Sequence, residues 1–355
     1  MKRWKWICGA LCLALAVAGF SKAGEPRTTA IALETAPRPT PPPITLDQAT
    51  RAAAELPQLH SLLVSRRGEL LLEHYSKGIR PTRLANLKSA SKSVISALVG
   101  IAIDRRHISG VEQPIEAYFA DQLKADKDAR KKIITVENLL TMQSGLESTS
   151  NRNYGAWVLS PNWVRHALTR PLIILPGTQM QYSTGNSHLL SAILTKATGK
   201  STWQFAQDVL AKPLGITLAR WPQDPQGIFF GGNDMLMTPR QMVQFGELYL
   251  RRGQVSGVQV LPESWVDASF VTRVQSSREQ DRYYGYGWWS RELAGYPVHY
   301  AWGYGGQFIF VIPKLDLVVV TTSVSEPSSE RRSHLRAIYD LVEDLIIPAL
   351  TPEAA

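Results

Sequence analysis

Apolar positions along this chain change period twice. Near the start, His60 to Ser65 and Glu69 to Ser76 are rich in residues that suit strands, and Arg66-Arg67-Gly68 between them predicts a hairpin. From about Ser89 to Ala268 the spacing turns helical. Start signals punctuate that stretch: Ser201-x-x-Gln204 is a capping box, and Thr238-Pro239-Arg240-Gln241 combines an N-cap, a proline at the first helical position and a glutamine two residues on. Strand character returns in Tyr283 to Ser290, Pro297 to Trp302, Gln307 to Ile312 and Leu317 to Ser323, with a tight turn at Lys314-Leu315-Asp316. A last helix is predicted from about Arg331 to Ile346, with Leu335, Ile338, Leu341, Val342, Leu345 and Ile346 on one face. Thr45-x-x-Gln48 predicts a short opening helix.

Strands at both ends with helices between predict an α+β fold. Residues 44–88 and 269–350 would form an antiparallel sheet flanked by the terminal helices. Residues 89–268 would form an inserted, mostly helical lobe. A groove between the two lobes is the natural place for a site.

The first 43 residues do not fit this scheme. Lys2, Arg3 and Lys5 precede a run of 14 mostly apolar residues, Ile7 to Phe20, and Ser21-Lys22-Ala23 is a small-x-small site. The pattern is that of a secretory signal peptide, with a cut expected after Ala23 and a periplasmic or secreted product. The run is shorter than the roughly 20 residues of a membrane span, so no stable membrane insertion is expected after processing. Cys8 and Cys12 lack the preceding small residue of a lipid-attachment site. Residues 24–43, with Pro26, Pro37, Pro39 and Pro41-Pro42-Pro43, read as a stiff linker.

Composition narrows the chemistry. The chain has 355 residues, of which 44% are hydrophobic and 19% charged, which excludes a disordered or collagen-like protein. Both cysteines lie in the leading segment, so the body has no disulfide framework, cysteine zinc site or catalytic thiol. The formal charge is +9. Without the four basic residues of segment 1–23 it falls to 35 basic against 30 acidic, and no basic run of five occurs. No nucleic-acid partner is indicated. The histidines have no metal-ligand spacing, so neither a metal nor an organic cofactor is expected.

One motif carries chemistry. Ser89-Ala90-Ser91-Lys92 is the only Ser-x-x-Lys, and it opens a segment through Ile103 that is apolar nearly all round, as in a helix buried in the interior. A helix N-terminus favours acidic residues, yet Lys88 and Lys92 stand there. A lysine in that place is costly unless it is paired or loses its proton. The spacing puts Ser89 and Lys92 on adjacent positions of one turn, a base beside a nucleophile.

Ser-x-x-Lys at the head of a buried helix, in a strands–helices–strands chain, resembles the serine β-lactamase and penicillin-binding-protein superfamily. The likeness is greatest to its class C-like branch, which also holds D-aminopeptidases, esterases and 6-aminohexanoate-dimer hydrolases. It extends over about residues 45 to 350. Thr135 to Leu146 and Pro176 to Ser183 are similar to stretches of that branch. Where the branch has Tyr-x-Asn, this chain has Tyr182-Ser183-Thr184. Where it has Lys-Thr-Gly or His-x-Gly, this chain has Ala301-Trp302-Gly303, with Gly305 and Gly306 following. The resemblance implies Ser89, Lys92 and Tyr182 as catalytic residues, with Tyr182 shuttling protons. It implies an oxyanion hole from the backbone N–H groups of Ser89 and Tyr304, and substrate contacts at Thr184, Trp302, Gly303 and Gly305.

The departures from the pattern point away from β-lactams. Ala301 carries no charge to hold a substrate carboxylate, and Thr184 lacks an amide. The expected activity is hydrolysis of a small ester or amide through a Ser89 acyl-enzyme, in an apolar groove with Trp157, Trp163, Trp288, Trp289 and Trp302 as candidate lining. The alternatives are a class C-type β-lactamase or D-amino-acid-specific peptidase, and a non-catalytic cell-envelope binding protein.

Overall fold

The computed structural model describes residues 44–351 apart from residue 125. The leading segment and linker lie outside the described residues. Among the described residues, no helix is long and apolar enough to cross a membrane.

Eight strands form one antiparallel sheet: β1 (Leu59–Arg66), β2 (Glu69–Tyr75), β3 (Val274–Gln275), β4 (Tyr283–Tyr284), β5 (Trp289–Leu293), β6 (Tyr296–Gly303), β7 (Gln307–Ile312) and β8 (Leu317–Ser323). Their order is β2-β1-β8-β7-β6-β5-β4-β3. The N-terminal hairpin therefore closes onto the last strand, with Leu63 opposite Val320. Arg67 and Gly68 make the β1–β2 turn with φ of 53° and 82°.

Alternation along the central strands separates two cores. Ile309, Val311, Val318 and Val320 face the helices of the middle segment. Phe308, Phe310, Ile312, Leu317 and Val319 face the other way, toward the terminal helices α1 (Leu46–Ala54) and α5 (Arg331–Asp340). On the first side, α2 (Ser91–Asp104) is buried from Ser91 to Ala102. It packs on α3 (Thr184–Thr198) and on β6.

Two features differ from the sequence expectation. Helix α4 (Pro239–Leu250) belongs to the segment assigned to the helical lobe, but it lies on the sheet against β1, β7 and β8. Gly246 permits this: a Cβ there would stand 2.6 Å from Val318 Cγ1. The strand expected from Tyr283 to Ser290 is broken between Tyr284 and Trp289. Gly287 turns there with φ 76° and comes so close to α2 that a Cβ would lie 2.9 Å from the Lys92 carbonyl. Ser93 Oγ ties down the same turn by donating to Gly287 O at 2.6 Å.

Candidate active site

Ser89 lies in a short 3-10 turn, Lys88–Ala90, that leads directly into α2. The turn needs a left-handed residue, and Lys88 takes φ 48°. Asn86 Oδ1 accepts the Lys88 N–H at 2.9 Å. Asp234 secures both neighbours: its Oδ1 accepts from Asn86 Nδ2 at 2.8 Å and from Lys88 Nζ at 3.3 Å. The strain of the turn is thus held by side-chain hydrogen bonds, and Ser89 itself stays half-buried.

Lys92 is 3% exposed. Its Nζ is 3.0 Å from Ser89 Oγ, 2.6 Å from the Gly232 carbonyl and 3.5 Å from Thr184 Oγ1. Burial drives its pKa down to about 7, although the negative charge of Asp234 opposes the shift. Near neutrality a large fraction is therefore the free amine. The two hydrogens of that amine have acceptors in Gly232 O and Thr184 Oγ1. The remaining lone pair is then directed at the Ser89 hydroxyl.

Tyr182 precedes α3, and its ring is 5.1 Å from Lys92 Nζ. It stacks on Trp289, with centroids 5.9 Å apart and planes 21° apart. Burial pushes its phenol up to about 12, offset in part by the Ser89 hydroxyl. That shift favours the protonated phenol at neutral pH.

A loop from Ser148 to Ser150 fixes this tyrosine segment. Ser148 Oγ donates to Tyr182 O at 2.6 Å, the Thr149 N–H donates to Ser183 Oγ at 3.1 Å, and Ser150 Oγ accepts the Thr184 N–H at 2.9 Å. Thr184, implied by the resemblance to be a substrate contact, is 4% exposed; its Oγ1 shares a hydrogen bond with Ser150 Oγ at 2.9 Å and accepts from Lys92 Nζ at 3.5 Å.

The end of β6 abuts the serine turn. A Cβ on Gly303 would lie 2.0 Å from the Leu87 carbonyl, so only glycine allows this approach. Gly305 turns away with φ 90° against Val324 O. Tyr304, between them, is 38% exposed, and the Arg331 guanidinium stands 4.9 Å from its ring. Trp302 points to the opposite face of the sheet from Ala301, stacking on Phe308 with the Arg282 guanidinium 5.0 Å from its ring.

The expected aromatic lining is not found. Trp157, Trp163 and Trp288 are core residues: the first two pack with His188 and Phe230, the third with Phe245 and Tyr249. A cavity of about 350 Å³ does open beside Tyr182, but none of the five tryptophans lines it. Its wall is about equally polar and apolar, with Ser148, Ser150, Asn153, Gln181 and Ile173 among the lining residues.

Sequence reasoning missed Gly232, Asp234 and Ser150. Gly231-Gly232-Asn233-Asp234 reads locally as a loop. Its glycines are required because Cβ atoms there would meet α3, at 2.1 Å from Ser187 O for Gly231 and 2.9 Å from Thr184 Cγ2 for Gly232. Among the described residues, no three His, Cys, Asp or Glu side chains converge to hold a metal ion.

Residues 46–343 match the Beta-lactamase family. The chain belongs to that family. It is 24% identical to the 6-aminohexanoate-dimer hydrolase of Paenarthrobacter ureafaciens, over 88% of this chain and 86% of that protein. Among solved structures it is similar to a putative 6-aminohexanoate-dimer hydrolase from Bacillus anthracis, with TM-score 0.67 and 21% identity over 84% of this chain and 82% of that one. It is also similar to EstCE1, a hydrolase with promiscuous acyltransferase activity, with TM-score 0.66 and 18% identity over 83% and 97% of the two chains. This β-lactamase-family hydrolase therefore has the family's mixed helix and antiparallel-sheet fold.

Proposed function

We propose that this chain is a secreted serine hydrolase that cleaves an ester or amide bond of a small molecule through an acyl-enzyme on Ser89. The observation that carries the reading is the Lys92 amine, dry and 3.0 Å from Ser89 Oγ, with its own hydrogens engaged elsewhere.

In this reading, Ser89 Oγ attacks the substrate carbonyl while Lys92 takes its proton. The N–H groups of Ser89 and Tyr304 face the developing oxyanion. The Tyr182 phenol donates to the leaving alcohol or amine and recovers a proton through Lys92. Water then attacks the acyl-Ser89 ester with Lys92 as base, and the acid departs. The names of the relatives, a 6-aminohexanoate-dimer hydrolase and a hydrolase with acyltransferase activity, accord with ester and amide chemistry. The uncharged Ala301, buried on β6, weighs against a carboxylate clamp of the β-lactam-handling kind. The basic–apolar–small pattern of residues 1–23 supports export.

The test is labelling with an active-site-directed phosphonate, together with p-nitrophenyl ester turnover. A single adduct on Ser89, lost along with turnover in Ser89→Ala, supports the reading. Undiminished ester hydrolysis in Ser89→Ala would refute it.

A further inference from the structure

A buried imidazole stands behind Lys92. His188 lies on α3 one turn after Thr184, so the two side chains share a face of that helix. Thr184 Oγ1 accepts from Lys92 Nζ, and His188 reaches the loop whose Gly232 carbonyl accepts from the same amine. The imidazole is fully buried, with the rings of Trp157, Trp163 and Phe230 centred 5.8, 5.3 and 6.0 Å away. The mechanism proposed above gives it no task.

The loop is pinned on both sides of its two glycines. Before them, Ser191 Oγ donates to Phe229 O at 2.6 Å, and Trp221 Nε1 donates to Phe230 O at 3.0 Å. After them, Asn233 Nδ2 donates to the Tyr154 hydroxyl at 3.0 Å, and the Met235 N–H donates to Ser91 Oγ at 3.2 Å. Among the described residues, the backbone of Gly231 and Gly232 itself makes two hydrogen bonds. The Gly231 N–H donates to His188 Nδ1 at 3.4 Å, and Gly232 O accepts from Lys92 Nζ at 2.6 Å. Glycine has the widest backbone freedom, so a contact from outside has to choose the orientation of these peptides.

An imidazole nitrogen can accept the Gly231 N–H only if it carries no proton. The other ring nitrogen, Nε2, faces Asp224 Oδ2 at 3.0 Å, and the Asp224 side chain is fully buried as well. Asp224 Oδ1 is occupied: it accepts the N–H groups of Gln226 and Ile228, each at 2.8 Å. We propose that Asp224 and His188 are positioning residues: Asp224 keeps the imidazole proton on Nε2, and the bare Nδ1 holds the Gly231 N–H and so sets the Gly232 carbonyl against Lys92. The proposal rests on the hydrolase reading above only in taking Lys92 as the base.

Nitrogen-15 NMR of the full chain, labelled at histidine, reads the tautomer directly. The parent protein should show His188 protonated on Nε2 and bare on Nδ1. A proton on Nδ1, or on both nitrogens, would overturn the proposal.

Asp224→Asn then reverses the ring without changing its volume. The two backbone N–H groups hold the amide oxygen where Oδ1 was, so the amide NH2 faces Nε2. Nε2 becomes the acceptor, and the proton moves to Nδ1, where it opposes the Gly231 N–H. A displaced Gly232 carbonyl no longer stabilises the ammonium form, so the Lys92 titration midpoint should fall from about 7 by roughly one unit. Carbon-13 NMR of lysine Cε, assigned with Lys92→Met, measures it. For a p-nitrophenyl ester, kcat should fall about tenfold with little change in KM.

A variant that keeps the proton on Nε2 would overturn the proposal. So would a reversed tautomer with the Lys92 midpoint unmoved or raised, or with kcat unchanged. If the parent protein turns over no ester, the hydrolase reading falls, and the two NMR measurements still decide whether Asp224 and His188 position the amine.

Discussion

The Nζ of Lys92 lies 2.6 Å from the carbonyl oxygen of Gly232, although 140 residues of chain separate them. That contact gives one amine hydrogen a partner and so helps direct the lone pair at Ser89. The loop is held in place by glycines pressed against α3 and by the Gly231 N–H, which reaches His188 Nδ1 at 3.4 Å. His188 is in turn fixed by Asp224 at 3.0 Å, both fully buried. In Gly232→Ala, a Cβ would stand 2.9 Å from Thr184 Cγ2. We expect the displaced carbonyl to lower kcat by about tenfold with little change in KM, as read from steady-state kinetics on a p-nitrophenyl ester.

The pH profile should follow Lys92. Its pKa of about 7 predicts that kcat/KM rises through neutrality as the amine loses its proton, then levels off, because Tyr182 titrates only near 12. Lys92→Ala should abolish this limb and lower kcat by about 10²-fold or more. A wild-type profile that is flat from pH 5 to 9 would contradict the assignment.

Burying that amine has a cost in stability, and its sign is fixed. The folded pKa of about 7 lies below the ordinary 10.5. Below pH 7 both states are charged, and the native state bears the full desolvation cost. Between pH 7 and 10.5 the cost fades, because only the unfolded state still holds the proton. Lys92→Met should therefore be more stable than the parent by about 2 kcal/mol at pH 6, with the gain shrinking toward pH 10. Urea unfolding at several pH values measures it.

Tyr182→Phe keeps the ring on Trp289 and removes only the hydroxyl. We expect kcat to fall by about 10²-fold with the melting temperature nearly unchanged. Esters with good leaving groups should lose least, because they need no proton. A loss of the same size for p-nitrophenyl and alkyl esters would argue against a donor role.

Gly303→Ala forces a Cβ to within 2.0 Å of the Leu87 carbonyl. A destabilisation of about 3 kcal/mol is expected. Gly110→Ala, which meets nothing within 4 Å, is the control and should be near neutral. Thermal unfolding followed by circular dichroism compares the two.

Much of this was legible in the chain because it is local. The capping boxes at Ser201 and Thr238 form as their spacing implies. The nearly all-round apolar character of the segment through Ile103 pointed to an interior helix, and from that a dry lysine followed. What could not be read depends on contacts distant in sequence. Helix α4 has the same amphipathic pattern whether it lies on a sheet or on other helices. The tryptophans carry no sign of whether they face a core or a groove, and four of the five, Trp157, Trp163, Trp288 and Trp289, are buried in the core. Thr184 was implied as a substrate contact by its place in the Tyr-x-Asn motif, and its actual partners, Ser150 and Lys92, come from separate segments of the chain. The broken strand at Gly285–Gly287 had a local sign, two glycines in three residues, but only the approach to α2 explains it.

Gly303 pressed against Leu87 also sets an order of events. The backbone wall behind the serine turn is supplied by residues more than two hundred positions later. A nascent chain that has emerged only as far as α4 holds Ser89 and Lys92 but has no β6 to close around them. On the proposed reading, hydrolytic competence therefore waits for the final strands to dock, and a chain cut short before β6 should be inert.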